Sequence, residues 1–78
     1  MADPLVRIFA EVLEVDPAEL NDNSSPDNVK QWDSVAAMKL VAAIEENFNV
    51  RLSTREIMQM STIGLARKIL QTKKRVAV

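Results

Sequence analysis

The sequence predicts an all-α fold: a small four-helix bundle with three main helices, a short third helix and a long loop between helices one and two. Three observations carry this. Of 78 residues, 47% are hydrophobic while one is Gly and three are Pro, a balance that suits a helical core better than a disordered chain or a turn-rich sheet. Apolar residues recur at three- and four-residue spacing in separate runs. Those runs open on Ser, Thr or Asp, the residues that accept the free N–H groups of a first helical turn. A chain of 78 residues builds one core, so it reads as one domain over residues 1–78, with a core of about 3–71 and a basic tail at 72–78.

The first helix opens on Asp3 as cap with Pro4 in the first helical position, and Leu5, Ile8, Phe9, Val12 and Leu13 share one face. Arg7, Glu11 and Glu14 fall on the wet side, and no site is assigned to this helix. Asp16-Pro17-Ala18-Glu19 repeats the cap-then-Pro signature with an acid at the third helical position, which predicts a short turn. Leu20 then pins the chain to the core. From Asn21 to Lys30 the segment is dense in turn-forming residues and holds one core-seeking side chain, Val29. It is a loop between packed helices, of a length that is often functional. Trp32, the single Trp, is expected to anchor the end of that loop on the bundle.

The second helix starts beside Ser34. Through Phe48 it contains no Gly or Pro, and Ala37, Leu40, Val41, Ile44 and Phe48 are its expected inner face. Val35, Lys39, Ala42 and Glu46 lie opposite, an outer stripe apolar enough to dock a partner but equally compatible with an ordinary solvated surface. Asp33 and Ser34 are both good capping residues, yet a helix has one N-cap. If Asp33 takes that role, the Ser34 hydroxyl is left unused at a helix N-terminus, where a phosphate is favoured by the dipole. An Asp-Ser pair in this position is most often a cap and nothing more. Ser53-Thr54-Arg55-Glu56 is a capping box that opens a short third helix through Ile57, Met58 and Met60. Ser61 or Thr62 caps the last helix, with Ile63, Ala66, Ile69 and Leu70 inward and Gly64 in its first turn, where close helix approach is expected.

The absences narrow the chemistry. With no Cys and no His, disulfides, Cys/His metal sites and Ser-His-Asp or Cys-His nucleophiles are excluded within this chain, and no metal site is expected. A scaffold this small also lacks room for a deep pocket, so the chain reads as a non-enzyme. No apolar run is long enough to span a membrane, and no basic region followed by an apolar stretch opens the chain, so a cytoplasmic protein is expected.

Taken together, the amphipathic first helix, the long loop, Trp32-Asp33-Ser34-Val35, the following Met38, Leu40 and Glu45-Glu46-Asn47-Phe48, and the two short helices after them resemble the acyl carrier proteins and related phosphopantetheine-carrying domains. The resemblance spans about Leu5 to Leu70. It implies that Ser34 is the attachment point of a 4'-phosphopantetheine derived from coenzyme A, with Asp33 as its motif neighbour and helix cap. The cofactor would supply the thiol that the sequence lacks, holding acyl intermediates as thioesters. The partners so implied are a phosphopantetheinyl transferase and the loading and synthase enzymes of fatty acid or related biosynthesis, meeting a monomeric carrier. Their docking face would be Val35, Lys39, Ala42, Glu45 and Glu46. An acyl chain would enter between helices two and three, walled by Leu40, Ile44, Ile57, Met60, Ile63 and Ala66, which by pattern alone are equally an ordinary core. The chain departs from the family in having Gln31-Trp32 before its Asp-Ser in place of a glycine-containing approach, Val35 where Leu is usual, and Lys39 on a helix that is usually acidic.

Charge is uneven. Residues 1–50 carry ten acids and three bases, a net −7, while residues 51–78 carry one acid and seven bases, a net +6. Lys73-Lys74-Arg75 reads as a solvated tail beyond a helix C-terminus, where cations are favoured. Three function classes follow: the carrier, a cofactor-free helical adaptor in which Asp33-Ser34 is only a cap, and a nucleic-acid module using the basic half. The last lacks aromatic interleaving and a strongly basic balance, so no nucleic-acid partner is expected.

Overall fold

The computed structural model describes residues 3–78, so the first two residues of the expected span lie outside the described part. The elements are α1 (Pro4–Leu13), a 3-10 turn (Pro17–Glu19), α2 (Ser34–Phe48), α3 (Thr54–Gln59) and α4 (Ile63–Thr72). Among the described residues there is no strand. Every helix opens as its cap residue requires: Asp3 Oδ1 accepts from Val6 N at 2.9 Å, Asp33 Oδ1 from Ala36 N at 2.8 Å, Ser53 Oγ from Glu56 N at 3.1 Å and Thr62 Oγ1 from Leu65 N at 3.0 Å. Both predicted capping boxes form, at Asp16/Glu19 and Ser53/Glu56. The two longest interhelix loops begin with left-handed residues, Glu14 (φ 57°) and Asn49 (φ 52°), which stop α1 and α2.

Helix α1 packs against both α2 and α4, and this double contact explains why its buried stripe is wider than the spacing suggested. Val6 and Ala10 join Leu5, Ile8, Phe9 and Leu13 in the core, while Val12 is half-buried. On α2 the fully buried row is Ala36, Leu40 and Ile44, and the expected Ala37, Val41 and Phe48 are only half-buried. The row at spacing four lies against the rest of the core, and the neighbouring row is left partly open. Ile63, Ala66, Ile69 and Leu70 of α4 are buried as expected.

The loop from Asn21 to Asp33 is ordered by its own short side chains. Ser24 Oγ accepts from Asn21 N at 2.9 Å, Asn28 Oδ1 from Ser25 N at 3.0 Å, and Asn28 Nδ2 donates to Asn23 O at 3.1 Å. Leu20, Ser24, Val29 and Trp32 are its buried anchors. Its carbonyls also complete the start of α4: Gly64 N donates to Asp22 O at 2.9 Å and Ile63 N to Ser24 O at 3.2 Å. Gly64 therefore admits the loop, where approach by another helix was expected; a Cβ there would stand 3.0 Å from Asp22 O and 3.1 Å from Asp22 Cβ.

Arg67 fastens the same corner. Its guanidinium reaches Asp3 Oδ2 at 2.9 Å and Asp22 Oδ1 at 3.0 Å, joining the cap of α1, the loop and α4. Burial pushes the Asp3 carboxyl up, but the Val6 N–H and the Arg67 guanidinium outweigh it and hold the group below the ordinary carboxylate value. A carboxyl depressed only in the folded state binds protons more readily when unfolded. Its contribution is thus fully present above the unfolded value of about 4 and is lost as pH falls through the lower folded value. Arg67→Met is expected to cost about 1 kcal/mol near neutral pH, the upper end for a partly exposed ion pair. The gap between wild type and variant should narrow in urea melts below about pH 4. A gap that stays constant from neutral pH down to pH 2 would mean that Arg67 acts through packing alone.

Candidate functional site

The site is built where the loop delivers the chain to α2. Trp32 is buried with its ring 5.2 Å from that of Phe9, centroid to centroid, at an interplanar angle of 63°, an edge-to-face contact that fixes the loop's last residues on α1. Trp32 N also donates to Val29 O at 3.0 Å, closing a turn before Asp33. Asp33 is extended (φ −104°, ψ −173°) and is the N-cap, so its carboxylate takes the helix N–H. Ser34, the first residue of α2, is exposed, and its hydroxyl enters no hydrogen bond among the described residues. The division of labour that the sequence left open is thereby decided: Asp33 caps and Ser34 Oγ is free. A phosphodiester on that oxygen would sit at the positive end of a 15-residue helix with solvent on its outer side, so the residues present fit the group.

The side chains around Ser34 divide into two sides of α2. On one, Val35 and Lys39 share a shallow groove with Val12, Leu13, Glu14, Gln31, Asp33 and Ala36. Lys39 is exposed and has no salt-bridge partner among the described residues. Val35 is 61% exposed and Met38 74% exposed, and Ala42 and Glu46 are also on the surface. Glu45, expected on the same face, instead turns Oε2 to accept from Leu52 N at 2.8 Å and so holds the chain after α2. Exposed Met38 was not among the expected surface residues; its place three residues after Val35 was the available signal.

On the other side, a small apolar cleft of about 40 Å³ is lined by Phe9, Trp32, Ala37, Leu40, Val41, Ile57 and Met60. Leu40, Ile57 and Met60 were expected there. Ile44, Ile63 and Ala66 were expected as walls but lie fully buried in the core and do not line the cleft. Trp32, Phe9, Ala37 and Val41 replace them. The cleft has room for one or two water-sized groups.

The segment beyond α4 also departs from expectation. It turns back instead of extending: Val76 N donates to Leu70 O at 2.8 Å, Val76 and Val78 pack on the core, and Lys74 Nζ meets Glu56 Oε1 at 3.1 Å. Val76 and Val78, which follow Lys73-Lys74-Arg75, favour this, since they gain by burial what a uniformly basic tail would not.

Comparison with known proteins accords with this geometry. A family model described as "Phosphopantetheine attachment site" matches residues 3–66. The chain belongs to the acyl carrier protein family. An acyl carrier protein of Chlamydia caviae is 34% identical over 64 residues, covering 82% of this chain and 83% of that protein. An acyl carrier protein of Wolinella succinogenes is 29% identical over 72 residues, covering 92% and 95% respectively. This carrier therefore works through a covalent 4'-phosphopantetheine, and the thiol absent from its own sequence is the one that the cofactor supplies. Among the described residues of the carrier no helix is long and apolar enough to cross a membrane, and no cluster of potential metal ligands occurs.

Proposed function

We propose that Ser34 is the residue that carries the phosphopantetheine, and that this chain presents acyl or related thioesters to the enzymes of fatty acid or a related biosynthesis. The observation that carries this is the free, exposed Ser34 hydroxyl at the first position of α2 beside a cap already supplied by Asp33. In the transfer, Ser34 Oγ bonds to the phosphorus of coenzyme A nearer the pantetheine, the bond from that phosphorus to adenosine 3',5'-bisphosphate breaks, and the hydroxyl proton passes to a base of the transferase. The chain has no His or Cys of its own, so in this reading loading and turnover belong to partner enzymes and the carrier itself is non-catalytic. The test is the intact mass of the protein after incubation with coenzyme A and a broad-specificity phosphopantetheinyl transferase, with the added group mapped to a peptide.

The partner face is formed by Val35, Lys39, Ala42 and Glu46, joined by Met38. Lys39 gives it a cation one turn beyond Val35, so partners that read carriers through basic patches meet repulsion here, and dedicated partners would place an acid opposite. Charges at the edge of an interface act mainly on association rate and specificity. Lys39→Glu is expected to speed loading by a generic fatty-acid enzyme, most at low salt, because screening acts over roughly 8 to 10 Å at ordinary ionic strength. The melting temperature should stay within a few degrees, about the scatter of exposed substitutions. Equal loading rates for both proteins across a salt series would show that Lys39 is not read by that partner.

A further inference from the structure

Helix α3 is attached to the bundle in an unusual way. The one residue of its six that is buried is a carboxylate, Glu56, whereas Ile57 is 37% and Met58 78% exposed. A short helix normally stays in place by burying an apolar face. Here Glu56 Oε1 accepts from Ser53 N at 2.9 Å and from Lys74 Nζ at 3.1 Å. Lys74 is brought across by the reversal after α4, where Arg75 adopts a left-handed conformation (φ 55°) and Val76 N closes on Leu70 O. The C-terminal segment thus clasps α3 through a single ion pair that is largely withdrawn from water.

What α3 covers is the apolar cleft beside α2. Ile57 and Met60 form its outer wall, Trp32 and Phe9 line it from the loop and α1, and at about 40 Å³ it is too small for a hydrocarbon chain unless α3 swings outward. Resting on the carrier function argued above, we propose that Lys74 is a positioning residue for the cargo: its ion pair with Glu56 latches α3 over the cleft and sets which cargo chains are drawn in. With the latch closed, a short acyl group stays outside with the phosphopantetheine. A longer chain enters only by lifting Ile57 and Met60, and it works against the Lys74–Glu56 pair in doing so. Glu56 also completes the capping box, so changing it would unravel α3 for an unrelated reason; Lys74 is the side to alter.

The experiment compares wild type, Lys74→Gln and Lys74→Arg in the full chain. In the unmodified protein, amide hydrogen exchange of residues 55–60 should quicken about two- to fivefold in Lys74→Gln, with α1 and α4 unchanged and Lys74→Arg close to wild type. The second readout is emission from Trp32, the only Trp in the chain and part of the cleft wall, after loading acetyl or octanoyl groups. The octanoyl group should shift this emission more in Lys74→Gln than in wild type, and the acetyl group equally in both, a chain-length dependence that a merely stabilising ion pair would not produce. Unchanged exchange in α3 would overturn the latch, and an equal octanoyl response in all three proteins would overturn its role toward cargo. If no protein accepts the phosphopantetheine, the carrier reading fails by itself, and the exchange measurement on the unmodified chain still decides whether Lys74 holds α3.

Discussion

Ser34→Ala is expected to abolish the gain of a phosphopantetheine completely while leaving helicity and melting temperature almost unchanged. The two halves of this expectation have separate causes. The chemistry is lost because the substitution removes the one hydroxyl that the loop and α2 leave exposed and unbonded at this helix start. The fold is kept because Asp33 Oδ1 still accepts from Ala36 N and alanine is a better helix former than serine at an exposed position. Asp33→Ala is the informative contrast. It should cost about 1 kcal/mol through loss of the cap, and Ser34 would then be drawn into the vacated capping role, lowering its availability for modification. Intact mass and thermal melts by circular dichroism on the two variants separate these effects. A mass gain that persists in Ser34→Ala, or that is absent from wild type with several transferases, would remove Ser34 as the attachment point.

Phe9→Ala should be among the most damaging single changes. Phe9 is 1% exposed, and its ring meets the edge-to-face partner Trp32, so its truncation leaves a cavity that joins the cleft beneath Ile57 and Met60. Losses of about 3 to 5 kcal/mol accompany such truncations, against a total of roughly 4 to 12 kcal/mol for a chain of this length. A fall in melting temperature of more than about 10 °C is therefore expected. Loading at Ser34 should fall with the folded fraction, because Trp32 no longer fixes the loop that presents it. Phe9→Leu, which refills most of the volume, should recover much of both. A melting temperature for Phe9→Ala within a few degrees of wild type would show that the Trp32 anchor does not depend on this contact.

The parts of this molecule that could be read directly from its residues are those whose physics is local. Asp3-Pro4, Asp16-Pro17, Asp33, Ser53-Thr54-Arg55-Glu56 and Thr62 mark the helix starts because a cap involves a side chain and N–H groups two or three residues away. Helical spacing identified Leu5, Phe9, Leu40, Ile44, Ile63 and Leu70 as core for the same reason. The competition of Asp33 and Ser34 for one capping role was legible too, since it is confined to a single turn, but that Asp33 takes the role is seen only in the folded helix start.

The remainder was set by residues that meet only after the helices have packed. Arg67 lies 64 residues from Asp3 and 45 from Asp22, and nothing in its own neighbourhood marks it as the clasp between helix cap, loop and α4. Glu45 looked like a surface acid until the chain after α2 brought Leu52 N to it, and Lys74 looked like part of a solvated tail until the reversal at Arg75 laid it on Glu56. The cleft shows the same division: that Ile57 and Met60 are apolar is evident from the sequence, but that they face Trp32 and Phe9 while Ile63 and Ala66 close the core elsewhere depends on how α3 and α4 sit around α1 and α2. Periodicity specifies which face of a helix is apolar, because side-chain direction repeats with the backbone. Which neighbour that face meets, and whether it is sealed or left ajar, follows from the relative placement of whole helices, a quantity to which contacts distant in sequence contribute most.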